Sequence, residues 1–383
     1  MSRINELIKE LCPNGVIYKK YGDVFEIKTG KGITTKEATD DGLYPIISGG
    51  TTPMGYYHSY NRDENIVTVS RVGANAGYVN FITEKFYLND KCFSIIPKDE
   101  FVKCFIPKYI YHYTKNIENK IMELQSEGGV PTINTQKVSN LLMPMLPIDV
   151  QLEIITVLDK FGELEAELEA ELEARKNQYE FWRGKIINMY DSKNIKLSDM
   201  AKIYDGTHST PNYQENGIPF ISVENISNIY GTNKFISKED YKKYKIKPEI
   251  NDVFMTRIGT IGKCSVFEKQ IDLAYYVSLA LIRPNTEIIL PKYLKYVIES
   301  NIGKDELYKR TLVHAVPIKV NKDEIGKIVL PVPSIDDQKK IISKLDKFES
   351  LTESNSSGLP AEIELRRQQY EYYRNKLLNF EVL

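Results

Sequence analysis

Little in this 383-residue chain points to catalysis. Its four histidines, His58, His112, His208 and His314, are scattered, with no HExxH or Cys/His spacing, so no zinc site is written in it. Its four cysteines, Cys12, Cys92, Cys104 and Cys264, form no CxxC pair. They read as reduced core thiols of a cytoplasmic protein, not as a disulfide framework. The glycine-rich GxGxxG and P-loop runs that cradle nucleotide phosphates are absent, and so is a GxSxG nucleophile elbow. The nearest approach to an amino-methyltransferase tetrad, Thr210-Pro211-Asn212-Tyr213, lacks the leading Asp or Asn and the second Pro. No stretch approaches the roughly 20 apolar residues of a membrane span. The opening MSRINELIKELC carries Glu6 and Glu10 and reads as a short amphipathic helix, without the apolar core and cleavage site of a signal peptide. No membrane partner is expected.

An excess of one charge is also missing. Lys and Arg number 51 against 52 Asp and Glu, and the formal net charge is −1. Taken alone this argues against nucleic acid. The charges are unevenly spread, however. Acidic residues crowd Glu163–Glu173, while Lys234, Lys238, Lys242, Lys243, Lys245 and Lys247 sit together elsewhere. A local basic face can therefore coexist with a neutral total. Tyrosine is abundant, at 26 residues, and suits interfaces because it joins a flat apolar face to a hydroxyl.

The stretch that organises the chain is 148–190. Its interior is Leu, Glu, Ala, Lys and Gln, strong helix formers, which predicts one long helix. Leu158, Leu172, Tyr179 and Ile186 fall at heptad position a. Ile154, Phe161, Leu168, Trp182 and Met189 fall at d, and Glu165 and Arg175 interrupt the seam. Between Glu163 and Ala174 the sequence is ELEA three times over, a four-residue unit that drifts around a heptad and can change in number without loss of helicity.

Such a stripe needs a partner, and the chain supplies one at 334–383. Leu158-Asp159-Lys160-Phe161 returns as Leu345-Asp346-Lys347-Phe348, Gln151 as Gln338, Gln178-Tyr179-Glu180 as Gln369-Tyr370-Glu371, and Arg183 as Arg374. The second copy carries four extra residues near Ser354–Pro360, where Gly358 and Pro360 predict a break.

The globular stretches between the coils, 1–147 and 191–333, repeat more faintly. Tyr21-Gly22-Asp23 is echoed by Leu197-Ser198-Asp199, Ser70-Arg71-Val72-Gly73 by Thr256-Arg257-Ile258-Gly259, Pro107-Lys108-Tyr109 by Pro291-Lys292-Tyr293, and Val130-Pro131 by Val316-Pro317. Val24–Lys28, Tyr44–Ser48, Ile66–Ser70 and Phe93–Ile96 read as strands, and Pro107–Gln125 as a helix. The expected fold class is α+β. Two globules, each a curved mixed β-sheet with helices, are held apart by two long antiparallel coiled-coil helices in a pseudo-two-fold arrangement. The N-terminal helix closes against the C-terminal one.

Two loops in corresponding places, Ser48–Asn61 and Asp205–Gly217, mix Gly with Thr, His, Asn and Tyr. They are candidate readout loops. Asn suits the adenine edge, Thr a thymine methyl or a phosphate, and Tyr a sugar or base. The candidates are Thr51, Thr52, Tyr57, His58, Asn61 and Asn75 in the first globule, and Thr207, His208, Thr210, Asn212, Tyr213 and Lys263 in the second. Arg71 and Arg257 read equally well as guanine or phosphate contacts and as strand-end arginines paired with a carboxylate. On the coil, Phe181 and Trp182 and their mates Tyr372 and Tyr373 cannot all face the seam, which leaves Phe181 and Tyr372 over for a further partner.

Globule, coil, globule, coil, with LPIDVQLEIITVLDKF and PSIDDQKKIISKLDKF opening the coils, and with ISGGTTPMGYYHSYN and DGTHSTPNYQENGIPFISVENI in the globules, resembles the specificity subunit of type I restriction–modification enzymes. The resemblance implies that each globule is a target recognition domain reading one half of a bipartite double-stranded DNA site. It implies that the coils set the gap and carry two methyltransferase subunits that use S-adenosylmethionine on adenine N6. It implies ATP- and Mg-dependent motor-nuclease subunits as further partners. None of those cofactors would bind this chain, which would be a non-catalytic subunit. The competing reading is a coiled-coil structural or adaptor protein without DNA specificity.

Overall fold

The computed structural model describes residues 2–39, 41–126, 129–352 and 358–380. It divides into two compact units, one formed by Met1–Leu168 with Ile363–Leu383 and the other by Glu169–Glu362. The expected boundaries set the coils apart as segments of their own. The division of the first coil between the units reflects its two ends being built into two different cores.

The first unit begins with the helix Ser2–Leu11, as expected. Strand Tyr18–Lys20 pairs antiparallel with Leu142–Pro144, and a four-residue helix, Tyr21–Val24, follows. The main sheet is antiparallel, in the order Phe25–Thr29, Cys92–Pro97, Ile66–Ser70, Val79–Ile82. A smaller sheet places Tyr44–Ile47 between Tyr56–Tyr57, antiparallel, and Tyr87–Leu88, parallel. The four strands expected from sequence are present to within a residue or two. The helix expected over Pro107–Gln125 is two, Pro107–Asn116 and Glu118–Met122. The chain turns at Ile117, which leaves helical geometry and is buried in the core.

The second unit repeats this plan strand for strand. Ser192–Lys196 pairs with Val329–Pro333, and Leu197–Met200 is the short helix. The main sheet runs Ala201–Asp205, Leu279–Pro284, Val253–Thr256, Cys264–Val266. The small sheet sets Ile218–Ile221 between Phe235–Ile236 and Ala274–Tyr275. The central strand Val253–Thr256 is buried on both faces. Val253 and Met255 enter the core shared with the helices, while Phe254 enters a second core with Phe267 and Tyr275. This is why it reads as a continuous apolar run without alternation. Pro107 and Pro291 occupy the first turn of equivalent helices, where a missing N–H costs nothing.

The coil helix Ile148–Ile187 is continuous over 40 residues. In the first unit, Val150, Ile154 and Leu158 join Leu377, Leu378 and Ile4 in one core. Phe161 stacks on Tyr373 with ring centroids 5.3 Å apart, and Glu165 pairs with Arg367 at 2.6 Å. Moving up one helix from Phe161 to Glu165 moves down the other, so the two run antiparallel. The Glu165 interruption of the seam is thus a cross-helix ion pair. In the second unit, Tyr179, Ile186 and Ile187 join Ile341 and Leu345, and Tyr179 stacks on Phe348 at 6.3 Å. In both units the beginning of one coil copy packs on the end of the other. Met189, expected at d, lies past the end of the helix and is 64% exposed. The second coil copy is two helices, Ile335–Thr352 and Gly358–Leu378. Gly358 has φ +78°, and a Cβ there would lie 2.6 Å from the Ser350 carbonyl oxygen. Of the expected break, Ser354–Ser357 lie outside the described residues. Among the described residues no helix is long and apolar enough to cross a membrane.

Each coil copy is fastened to its globule by one buried glutamine. The Gln151 amide donates to the carbonyls of Cys104 (2.7 Å) and Leu146 (2.8 Å) and accepts from the Ile106 N–H (2.9 Å). Gln338 makes the matching set with Ile288, Pro333 and Leu290, at 2.9, 2.9 and 2.8 Å. Both side chains are fully buried. About two turns further on, Asp159 meets Lys108 and His112, while Asp346 meets Lys292 and Tyr296. Burial pulls the His112 pKa below the ordinary histidine value, against the opposing pull of Asp159. Gln151→Ala strands three backbone groups and should lower the unfolding free energy by about 3 kcal/mol, as should Gln338→Ala. Urea unfolding checks this, and a loss below about 1 kcal/mol for either would mean that water replaces the amide.

Candidate nucleic-acid interface

In the second unit, the candidate loop leaves strand Ala201–Asp205 at Gly206. A Cβ on Gly206 would lie 2.5 Å from the Tyr276 backbone, so only glycine lets the chain pass there. Thr207 is held by backbone bonds to Tyr275 and Val277, and its hydroxyl accepts from the Ser209 N–H. Beyond it His208, Thr210 and Asn212 are exposed. Together these residues form one wall of a cleft of about 650 Å³. Asp240, Lys243, Tyr244 and Lys245 form another. The Lys243 ammonium is held by Asp240 at 2.6 Å, and Lys245 is exposed. The cleft thus joins four of the candidate residues to part of the lysine run, and adds Tyr244, which motif reasoning passed over. Tyr213 stands just outside it, edge-on to Phe220 with ring centroids 5.7 Å apart and the Lys234 ammonium 5.8 Å from its ring centre.

Two candidates of this unit have other surroundings. Arg257 is 7% exposed and forms an ion pair with Asp205 at the root of the loop. It is the strand-end arginine with a carboxylate partner. Lys263 is exposed but borders a different cleft, with Lys176 and Lys292.

In the first unit, Thr51 and Thr52 are exposed, and Asn75 donates to the Gly49 carbonyl at 3.1 Å, tying the loop to the turn after Arg71. Arg71 occupies the place of Arg257. The strand paired with its neighbour ends there in Thr29, where the second unit has Asp205. Among the described residues its side chain reaches only the Asp90 carbonyl, at 3.5 Å. Arg71 is therefore the freer cation of the pair. Tyr57 packs on His58 at 3.9 Å and Tyr87 at 5.0 Å, with His58 exposed. Asn61 both donates to the Leu88 carbonyl (3.1 Å) and accepts from its N–H (2.7 Å). Its amide is committed to holding the loop against a strand.

The four coil aromatics divide. Phe181 and Tyr372 are 55% and 59% exposed. Each carries a lysine over its ring, Lys185 at 4.5 Å and Lys376 at 5.7 Å. Trp182 packs instead on the second core, and Tyr373 on Phe161.

Residues 13–174 and 189–365 both match the type I restriction modification DNA specificity domain, one match beginning in each globule. The chain belongs to that family. A putative type I restriction enzyme specificity subunit of Haemophilus influenzae is 28% identical over 350 residues, covering 87% of each chain. The specificity subunit of an Escherichia coli type I restriction enzyme is 30% identical over 290 residues, covering 71% of this chain and 70% of that one. Two solved structures share the fold of this specificity-family chain. The S subunit of a type I restriction–modification system from M. genitalium superposes with a TM-score of 0.53 at 17% identity over 96% of both chains. A chain solved in work on assembly and conformational transition of the type I system gives 0.63 at 14% identity, over 96% of this chain and 98% of that one.

The two arginines should separate in experiment. Arg257→Ala leaves Asp205 without its partner and should cost about 2 kcal/mol of stability, less than the ~3–5 of a fully buried pair because Asp205 is partly exposed. Arg71→Ala should leave the melting temperature unchanged and weaken binding to duplex DNA. Thermal melting and a DNA titration of both variants check this; equal melting losses would refute the distinction.

Proposed function

We propose that this chain is the DNA-reading component of a type I restriction–modification complex, with each globule reading one half of a bipartite double-stranded site. The observation that carries the reading is the pair of specificity-domain matches on two globules of one topology and different loops. A shared scaffold with unlike loops is what two different half-sites require, since loops carry recognition while the sheets position them. The adaptor reading finds no support in a family named for DNA specificity.

The residues proposed to face DNA are Thr51, Thr52, His58, Arg71 and Asn75 in the first domain, and Thr207, His208, Thr210, Asn212 and Tyr213 in the second. Tyr57 supports His58, and Asn61 and Arg257 hold loops in place. The chain performs no chemistry of its own on this reading. Adenine-N6 methylation with S-adenosylmethionine, and translocation and cleavage with ATP and Mg, belong to the methyltransferase and motor-nuclease partners.

The coils carry those partners. Phe181 and Tyr372 are exposed aromatics at equivalent places of the repeat, so one docking surface is presented twice. This matches two copies of one methyltransferase subunit.

Exchanging residues 16–147 for the corresponding domain of a relative should alter one half of the methylated sequence and leave the other intact. Mapping N6-methyladenine in cells making the chain with its methyltransferase reads this out, and a change in both halves or in neither would sink the reading. Phe181→Glu should leave the chain folded and weaken its assembly with methyltransferase. An undiminished complex on gel filtration would remove the docking role.

A further inference from the structure

One echo between the globules has no part in the readout loops above. Val130-Pro131 and Val316-Pro317 echo each other in sequence and lie in corresponding loops, one residue out of step relative to the bonds at the loop base. Val316 is 100% exposed and Val130 63% exposed. In the second domain the surroundings are apolar too, with Tyr308 72%, Leu312 46%, Val313 42% and Ile318 41% exposed. Single exposed apolar residues need no account, but four in one short loop, with Tyr308 at the end of the helix that leads into it, mark a contact surface.

The loop is fixed at its base. The Val320 N–H donates to the Arg257 carbonyl at 3.0 Å, Gly259 N–H to Ile318 at 2.9 Å, and Leu312 N–H to Lys319 at 2.8 Å. Arg257 in turn pairs with Asp205, which opens the Asp205–Gly217 loop. Arg257 thus serves both loops, its guanidinium holding Asp205 and its main-chain carbonyl holding the returning segment. The first domain repeats the base, with Ile133 N–H on the Arg71 carbonyl at 2.9 Å and Gly73 N–H on Pro131 at 3.0 Å.

The charge of the segment selects its occupant. Residues 308–320 hold Lys309, Arg310, His314 and Lys319 and no acidic side chain. Lys309 and Arg310 share Glu306, while His314 and Lys319 are exposed. An apolar tip flanked by cations fits duplex DNA, with the tip against base edges in a groove and the cations toward phosphates.

We propose that the Tyr308–Ile318 loop is a second DNA-reading loop of its domain, with Val316 in apolar contact with a base edge and Lys319 toward the backbone. The proposal rests on the domain-per-half-site reading. It assigns specificity to a segment distinct from the Asp205–Gly217 loop.

The test uses the full chain assembled with its methyltransferase subunits. Its probes are a duplex carrying the sequence the wild-type complex methylates and a scrambled duplex. Val316→Ala should weaken the first by about tenfold, the value of two buried methyl groups, and leave the second unchanged. Lys319→Ala should weaken both alike and reduce the salt dependence by about one ion. Melting should not move, because neither side chain is buried. If Val316→Ala and Val316→Ser both preserve the ratio of cognate to scrambled affinity, the proposal fails. It also fails if they disrupt methyltransferase assembly while DNA binding stays intact, since the loop would then be a subunit interface. Exchanging residues 191–333 separates the two levels. If the exchange moves a half-site while the Val316 variants do nothing, the second loop alone is refuted. If the exchange also does nothing, the half-site reading falls, and the proposal with it.

Discussion

A buried primary amide holds each globule to its coil. A glutamine has two N–H donors and a carbonyl acceptor, and Gln151 and Gln338 use all of them on main-chain groups from two segments of the globule. Leaving any of those groups dry and unpaired would cost more than the bond is worth, so the amide fixes the rotation of the helix as well as its contact. An apolar residue would bury as well but would tolerate sliding. The aspartate about two turns later adds a second fixed point, through Lys108 and His112 in one unit and Lys292 and Tyr296 in the other. The orientation of each target recognition domain on its helix follows from these few atoms.

That constraint explains why the coils stay alike while the globules diverge. Each helix start meets the end of the other copy. Ile154 and Leu158 share a core with Leu377 and Leu378, and Ile341 and Leu345 share one with Ile186 and Ile187. A change at one coil position is therefore felt against a partner that serves the same role in the other unit. The loops face no such partner. They are free to vary as long as their roots hold, and the roots are backbone bonds and one ion pair.

The helices, strands and repeat were legible because they rest on periodicity and on near-identical strings such as LDKF. The break at Ile117 was not, because no proline or glycine follows Pro107 before Gln125 to mark it; a buried isoleucine turns the chain there. The split of the long helix between two cores was also hidden, since a heptad pattern shows a stripe but not what covers it. At the candidate interface the sequence offered residue types without partners. Nothing near Asn61 announces that its amide will bridge the Leu88 backbone, and the cleft made by Lys243–Lys245 with the 207–212 loop joins segments far apart in sequence.

Arg71 and Arg257 show the same limit from the other side. Both follow an equivalent strand and precede an equivalent glycine turn, and both lend a carbonyl to the returning loop. The difference lies at the end of a neighbouring strand, Thr29 in one domain and Asp205 in the other. A carboxylate there draws the guanidinium inward, where it holds the root of the Asp205–Gly217 loop. A threonine leaves it outward, with one long bond to a carbonyl. One scaffold position thus alternates between holding a loop and offering a cation, according to a residue outside both loops. A change at a strand end can thus alter which side chains a domain presents, as a change in a loop does.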